Sequence, residues 1–262
     1  MTETLWSDAI SFPEALTQAG QLTDVALDRL LVTPPGLEAR VYEAMRYAAL
    51  APGKRMRPFL VLASGRLFGV AQRCALQVAT AIEMVHAYSM VHDDLPAMDN
   101  SDLRRGRPTC HKEFDEATAV LAGDGLLTTA FGVLADPDTH GDPAVRCELV
   151  AALAGAAGAA GMVGGQMIDL IAEHQSLDIG EITRLQRMKT GALIAFRARP
   201  GRFSPRRRMS CAPRCAATLT IWGWPTRSPT ICSTSRVPPR SSGSRSAPTL
   251  PPASLPSCRS SA

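Results

Sequence analysis

The acidic residues of this chain stop well before its end, and that boundary constrains the fold more than any motif does. Residues 1–196 hold all 24 Asp and Glu and 16 of the 28 Lys and Arg, a net charge of 16 − 24 = −8. Residues 197–262 hold the remaining 28 − 16 = 12 basic residues, all arginine, and no acid, so they carry +12. The same stretch contains 11 of the 20 prolines, 13 serines and four of the seven cysteines. Proline removes a backbone donor and fixes φ, so at this density it interrupts every helical or strand pattern. The chain therefore divides into a domain over 1–196 and an Arg/Ser/Pro-rich tail over 197–262, expected to be disordered. The tail cysteines Cys211, Cys215, Cys232 and Cys258 lack zinc-ligand spacing. Met1–Ser11 is acidic and has no long apolar run, which argues against a secretory signal and for a cytoplasmic protein.

Three readings of the tail compete: an arm that binds polyanions such as nucleic acid, a basic membrane-surface arm, or translation in the wrong frame. The third can be tested on paper. Ser228–Arg236, "SPTICSTSR", written with G- or C-ending codons, is TCG CCG ACG ATC TGC TCG ACG TCG AGG. Joining the last base of each codon to the first two of the next gives ADDLLDVE, an aspartate-rich motif. A basic binding arm has no reason to conceal such a sequence. The expectation is a frameshift near Phe196–Arg199 that replaced the original C-terminal third, with no specific nucleic-acid partner.

The first 196 residues read as an all-α domain. Aromatics make up 5% of the chain, and the abundance of alanine and leucine favours helices over strands. Helical periodicity runs over Leu37–Leu50, Leu76–Leu95, His111–Ala135, Ala144–Ala172 and Ile182–Phe196. No alternating β pattern of useful length occurs. Val150–Ile168 is uncharged and long enough to span a bilayer, but it is mostly Ala and Gly. Such helices pack closely against other helices, so no membrane span is expected.

The chemistry concentrates in "MVHDDLPAMDNSDLRRGRPT", Met90–Thr109. Carboxylates and arginines this close can simply neutralise one another on the surface. They can also hold a polyphosphate and its divalent metal between them, because carboxylates bind Mg²⁺ while arginines fork onto phosphate oxygens. Asp93 and Asp99 are six apart and do not align on a regular helix. Pro96 breaks the helix and allows Asp99 to swing back toward Asp93. His86 lies two turns before Asp93 on the same face, about 10 Å away. Arg104, Arg105 and Arg107 lie around Gly106, which allows close approach, and Arg107 fits a charged turn as readily as a site. "PGKRMRP" places Lys54, Arg55 and Arg57 at the start of a helix, where backbone donors also favour an anion. No nucleotide-binding Gly-x-x-x-x-Gly-Lys spacing is present. Gln166 and Asp169 share a helical face, and "RMKTG" offers Lys189 and Thr190. Each of these is weak alone, and Tyr88 fits core packing as readily as a site wall.

Together "GKRMRP", "EMVHAYSMVHDDLPAMDNSDLRRGRPT", "LAGDGLL", "GGQMIDL" and "RMKTGALI" resemble the trans-isoprenyl diphosphate synthases, the polyprenyl synthetase family, and in particular its bacterial farnesyl-forming members. The resemblance covers roughly Arg40 to Phe196. It implies an all-helical isoprenoid-synthase bundle with a central cavity, usually a homodimer, that condenses isopentenyl diphosphate with an allylic diphosphate using Mg²⁺. It implies that Asp93 and Asp99, with Asp94 assisting, hold the metal. Arg104 would contact the allylic diphosphate, and Lys54, Arg57, His86 and Arg105 the isopentenyl diphosphate. Lys189 and Thr190 would assist on the allylic side, with Gln166 and Asp169 in the cavity. Tyr88, five residues before Asp93, would limit product length to fifteen carbons. The family's second aspartate-rich motif is present only in the shifted frame, so the chain as translated is expected to be inactive or unstable. A non-catalytic subunit that binds a partner synthase and a polyanion binder acting through the tail are the rival functions. A terpene cyclase is disfavoured, because "GKRMRP" points to a second diphosphate substrate.

Overall fold

A computed structural model describes residues 10–197. The expectations for the tail, its disorder and its frameshift, lie outside the described residues. Ten α-helices follow one another: α1 Phe12–Leu30, α2 Ala39–Ala49, α3 Met56–Leu67, α4 Gln72–Asp93, α5 Cys110–Glu113, α6 Glu116–Ala135, α7 Pro143–Ala157, α8 Met162–Ala172, α9 Ile179–Gln186 and α10 Ala192–Arg197. A π-helical turn over Arg187–Gly191 joins α9 to α10. Among the described residues the only strands are β1 Leu103–Arg104 and β2 Arg107–Pro108, paired antiparallel. They are too short to give an alternating pattern. Their two-residue loop places Arg105 at φ 53° and Gly106 at φ 78°, the paired left-handed conformation of a tight hairpin turn.

α4 is the central element. Residues Val78 to Val85 are buried in succession, which happens only when a helix is covered on nearly all sides. It packs against α3 and α6. α6 is apolar and long enough to cross a bilayer by length and composition, but that character is used in the core, where Ala119, Ala122, Leu126 and Ala130 are fully buried. The core continues to the last described turn, since Phe196 on α10 is 1% exposed and α10 packs against α7 and α3.

Three helices expected to be continuous are broken. The 111–135 stretch splits at Phe114–Asp115, where the Asp115 carboxylate accepts the Thr118 backbone N–H at 2.7 Å and caps α6. Hydrogen bonds from Thr118 and Arg40 hold the Asp115 carboxyl below the usual carboxylate range. The 144–172 stretch splits between Ala157 and Met162, around Gly158 and Gly161. The 182–196 stretch begins earlier, at Ile179, behind a capping box of Asp178 and Glu181, and is interrupted by the π-turn.

One buried charge cluster joins three of these helices. Arg55, just before α3, donates to Asp24 of α1 at 2.8 Å, to Glu83 of α4 at 2.8 Å and to the Ala49 carbonyl at 3.0 Å. The Arg55 and Glu83 side chains are 7% and 6% exposed. A buried pair contributes little net stability, but removing one partner strands the other charge. Arg55→Ala is expected to lower the unfolding free energy by about 3–5 kcal/mol, measured by urea denaturation. A loss below about 1 kcal/mol would contradict this role.

Candidate active site

The end of α4 builds the acidic wall. Pro96 cannot continue the helix, and the chain turns back over its last carbonyls. The Asp99 N–H donates to the Asp93 carbonyl at 2.9 Å, Asn100 N–H to Leu95 at 3.1 Å and Ser101 N–H to Asp94 at 3.2 Å. Asn100 adopts φ 48° to complete the turn. Asp93 and Asp99 are thereby brought together, the return that Pro96 was expected to allow. Burial pushes the Asp93 carboxyl up to about 6, with Asp99 adding to the effect and Lys189 and Arg104 opposing it. Burial also raises Asp99, again against Lys189 and Arg104.

Asp94 faces elsewhere. Both of its oxygens accept from the Arg104 Nε at 2.8 Å, and the Arg104 Nη2 adds a further contact. Its side chain is 4% exposed. The resemblance gave Asp94 a share of the metal and Arg104 a phosphate; in the structure the two residues are each other's partner, bidentate and charge-assisted. Among the described residues no group of three or more His, Cys, Asp or Glu side chains converges to hold a metal ion. The available donors are the hard carboxylate oxygens of Asp93 and Asp99. Two carboxylates completed by substrate phosphates and water are the coordination Mg²⁺ commonly takes, and these residues fit it.

Asp93 lies on a cleft of about 590 Å³. His86 and Tyr88 border it from α4, Arg57 from α3, Gln166 from α8, and Lys189 and Thr190 from the π-turn. Met98, Met162, Leu170 and Leu193 give it an apolar lining. Tyr88 is buried and sits edge-to-face on His92, ring centroids 5.2 Å apart. His92 fits only because residue 123 is glycine: a Cβ there would lie 2.1 Å from the His92 Nε2. Arg57 carries a buried Nε with no hydrogen-bond partner, and burial pushes its guanidinium below the ordinary range. A smaller cavity of about 70 Å³ holds Asp94, Arg104 and Arg105, and His86 borders both spaces. Arg105 is fixed by the Pro52 carbonyl at 2.5 Å. Lys54 is exposed and lines neither space.

Several pairings went unread in the sequence. Arg55 is neutralised by Asp24 and Glu83 rather than presented to an anion, and residues 31 and 28 apart in the chain give no signal of pairing. Arg107 stacks over the Tyr47 ring at 4.4 Å, at the rim of the smaller cavity. Gly123 and Gly165 serve close approach; their clustering in "LAGDGLL" and "GGQMIDL" was the available hint.

Comparison with known proteins identifies the family. Residues 38–205 match the polyprenyl synthetase family. The chain is 47% identical over 199 residues to farnesyl diphosphate synthase of Escherichia coli strain K12, covering 74% of this chain and 66% of that protein. It is 45% identical over 193 residues to the Geobacillus stearothermophilus farnesyl diphosphate synthase, covering 73% of this chain and 65% of that one. The chain thus spans just under two thirds of the length of these curated relatives. Among solved structures, an FPP/GFPP synthase from Zymomonas mobilis superposes with a TM-score of 0.78 at 48% identity, over 80% of this chain and 76% of that chain. A geranyltransferase from Legionella pneumophila superposes with a TM-score of 0.73 at 35% identity, over 80% and 73%. With its helical fold, its folded-back aspartates and these matches, the chain belongs to the polyprenyl synthetase family.

Proposed function

We propose that this chain carries the first substrate wall of an enzyme that joins isopentenyl diphosphate head-to-tail to an allylic diphosphate, dimethylallyl or geranyl, and stops at farnesyl diphosphate. The observation that carries the reading is the turn that returns Asp99 to Asp93 on a cleft also bordered by Lys189, Thr190, Gln166, Arg57 and His86. Asp93 and Asp99 would hold Mg²⁺, which when bound stabilises charge on the departing diphosphate. Asp94 acts at one remove, fixing the Arg104 guanidinium beside the wall. Lys189 and Thr190 offer donors to the same diphosphate, while Arg57, His86 and Arg105 receive that of isopentenyl diphosphate. The resemblance adds Lys54, which is exposed, to the residues for isopentenyl diphosphate.

The reaction asks these residues for positioning and electrostatics. The allylic C–O bond breaks, and its electron pair leaves with the diphosphate, whose charge Lys189 and Thr190 meet. The alkene of isopentenyl diphosphate attacks the resulting carbocation to form the new C–C bond. A proton is then lost to the released pyrophosphate, regenerating an allylic product. The apolar lining around Met98, Met162 and Leu193 keeps water from the cation. The resemblance further supports a cytoplasmic homodimer.

In the chain as translated this activity is impaired. The family match stops at residue 205, inside the stretch without acidic residues, and the second aspartate-rich motif lies in the shifted frame. The 1–196 domain is then the N-terminal two thirds of the enzyme, and 197–262 is out-of-frame sequence.

Asp93→Asn and Asp99→Asn should each weaken Mg²⁺-dependent binding of inorganic pyrophosphate roughly tenfold, read by titration calorimetry; unchanged affinity would count against the metal wall. Tyr88→Ala in a frame-restored chain should give products longer than farnesyl diphosphate by chromatography. Unchanged product length would remove Tyr88 from the role of stop.

A further inference from the structure

Gly165 is buried in α8 where that helix meets the π-turn. A Cβ at this position would lie 2.3 Å from the Lys189 backbone nitrogen, 2.7 Å from its Cα and 2.8 Å from its Cβ. These are main-chain and first side-chain atoms, which cannot rotate away as the tip of a long side chain can. One turn further along the same face of α8, Asp169 accepts a hydrogen bond from the Lys189 ammonium at 2.5 Å. Both side chains are about a quarter exposed, at 28% and 25%. Lys189 is therefore held at both ends, its main chain against Gly165 and its charge on Asp169. Residues i and i+4 of one helix supply both holds. The π-turn adds a residue to the helical repeat and bulges the chain outward at the point of contact. The Lys189 charge acts on both Asp93 and Asp99.

We propose that Gly165, with Asp169 one turn later, is a positioning residue that sets where the Lys189 ammonium stands over the acid pair and the diphosphate bound there. The inference rests on the reading that this cleft takes an allylic diphosphate. Gly165 touches no substrate and acts through Lys189 alone.

The chain contains three lysines, Lys54, Lys112 and Lys189, so amine acylation read by mass spectrometry reports Lys189 separately, with the exposed Lys54 as reference. In the full chain, Gly165→Ala should raise the Lys189 labelling rate several-fold relative to Lys54. It should weaken Mg²⁺-dependent binding of inorganic pyrophosphate roughly tenfold. Added to Lys189→Ala, it should cause no further loss of pyrophosphate affinity, because both changes act through one group. Unchanged labelling, or losses that multiply, would overturn the proposal. If circular dichroism shows that Gly165→Ala does not fold, Asp169→Asn adds no bulk and should produce the same rise in labelling and the same non-additivity; unchanged values there overturn it equally. An unsubstituted chain that protects Lys189 but binds no pyrophosphate contradicts the diphosphate reading of the cleft, and in that case the labelling rates decide the clamp.

Discussion

Arg55 reaches Glu83 in the interior at 2.8 Å, and this pair ties the basic loop before α3 to the helix that carries the acids. Three of the site's side chains stand on α4. His86 is three residues past Glu83, Tyr88 five, and Asp93 ends the helix. Because Asp24 also binds Arg55, α1 is drawn into the same cluster. The rigidity of the cleft thus begins with a charged residue that does not line it. Arg57, two residues on, remains with an unpartnered buried Nε beside the cleft. Desolvated donors of this kind are expensive unless an anion supplies the missing acceptor.

The neighbouring aspartates Asp93 and Asp94 show how backbone direction assigns different work to identical side chains. Asp94 is spent on Arg104 in a bidentate pair. Asp93 stays on the cleft, and the returning turn adds Asp99 beside it, leaving carboxylate charge that Lys189 and Arg104 only partly offset. Such a site favours a small hard cation and the phosphates that accompany it. The cleft and the arginine-lined cavity meet at His86, which borders both.

Much of this was legible in the sequence, for identifiable reasons. The composition called for helices, and the described residues are helical apart from turns and one short hairpin. The break after Asp93 followed from Pro96, a constraint that acts locally. What the sequence concealed was long-range or backbone-borne. Nothing in the pattern pairs Arg55 with Glu83, or Asp94 with Arg104. The cap at Asp115 was readable, because Asp followed three residues later by Thr118 supplies the capping hydrogen bond, but the continuous apolar periodicity masked it. The π-turn has no residue signature, and apolar spacing continues across it. Gly165 looked like one more small residue in an Ala/Gly-rich stretch until Lys189 was found against it.

The described helices form one wall of the proposed prenyltransferase, whose opposite wall is proposed to lie in the shifted frame. The most direct test is to restore the frame and incubate the protein with geranyl diphosphate, isopentenyl diphosphate and Mg²⁺, separating the products by chromatography. The account predicts farnesyl diphosphate from the restored chain, none after chelation of the metal, and roughly a hundredfold less or lower from the chain as translated. A restored chain without activity, or a translated chain that matches it, would contradict the account.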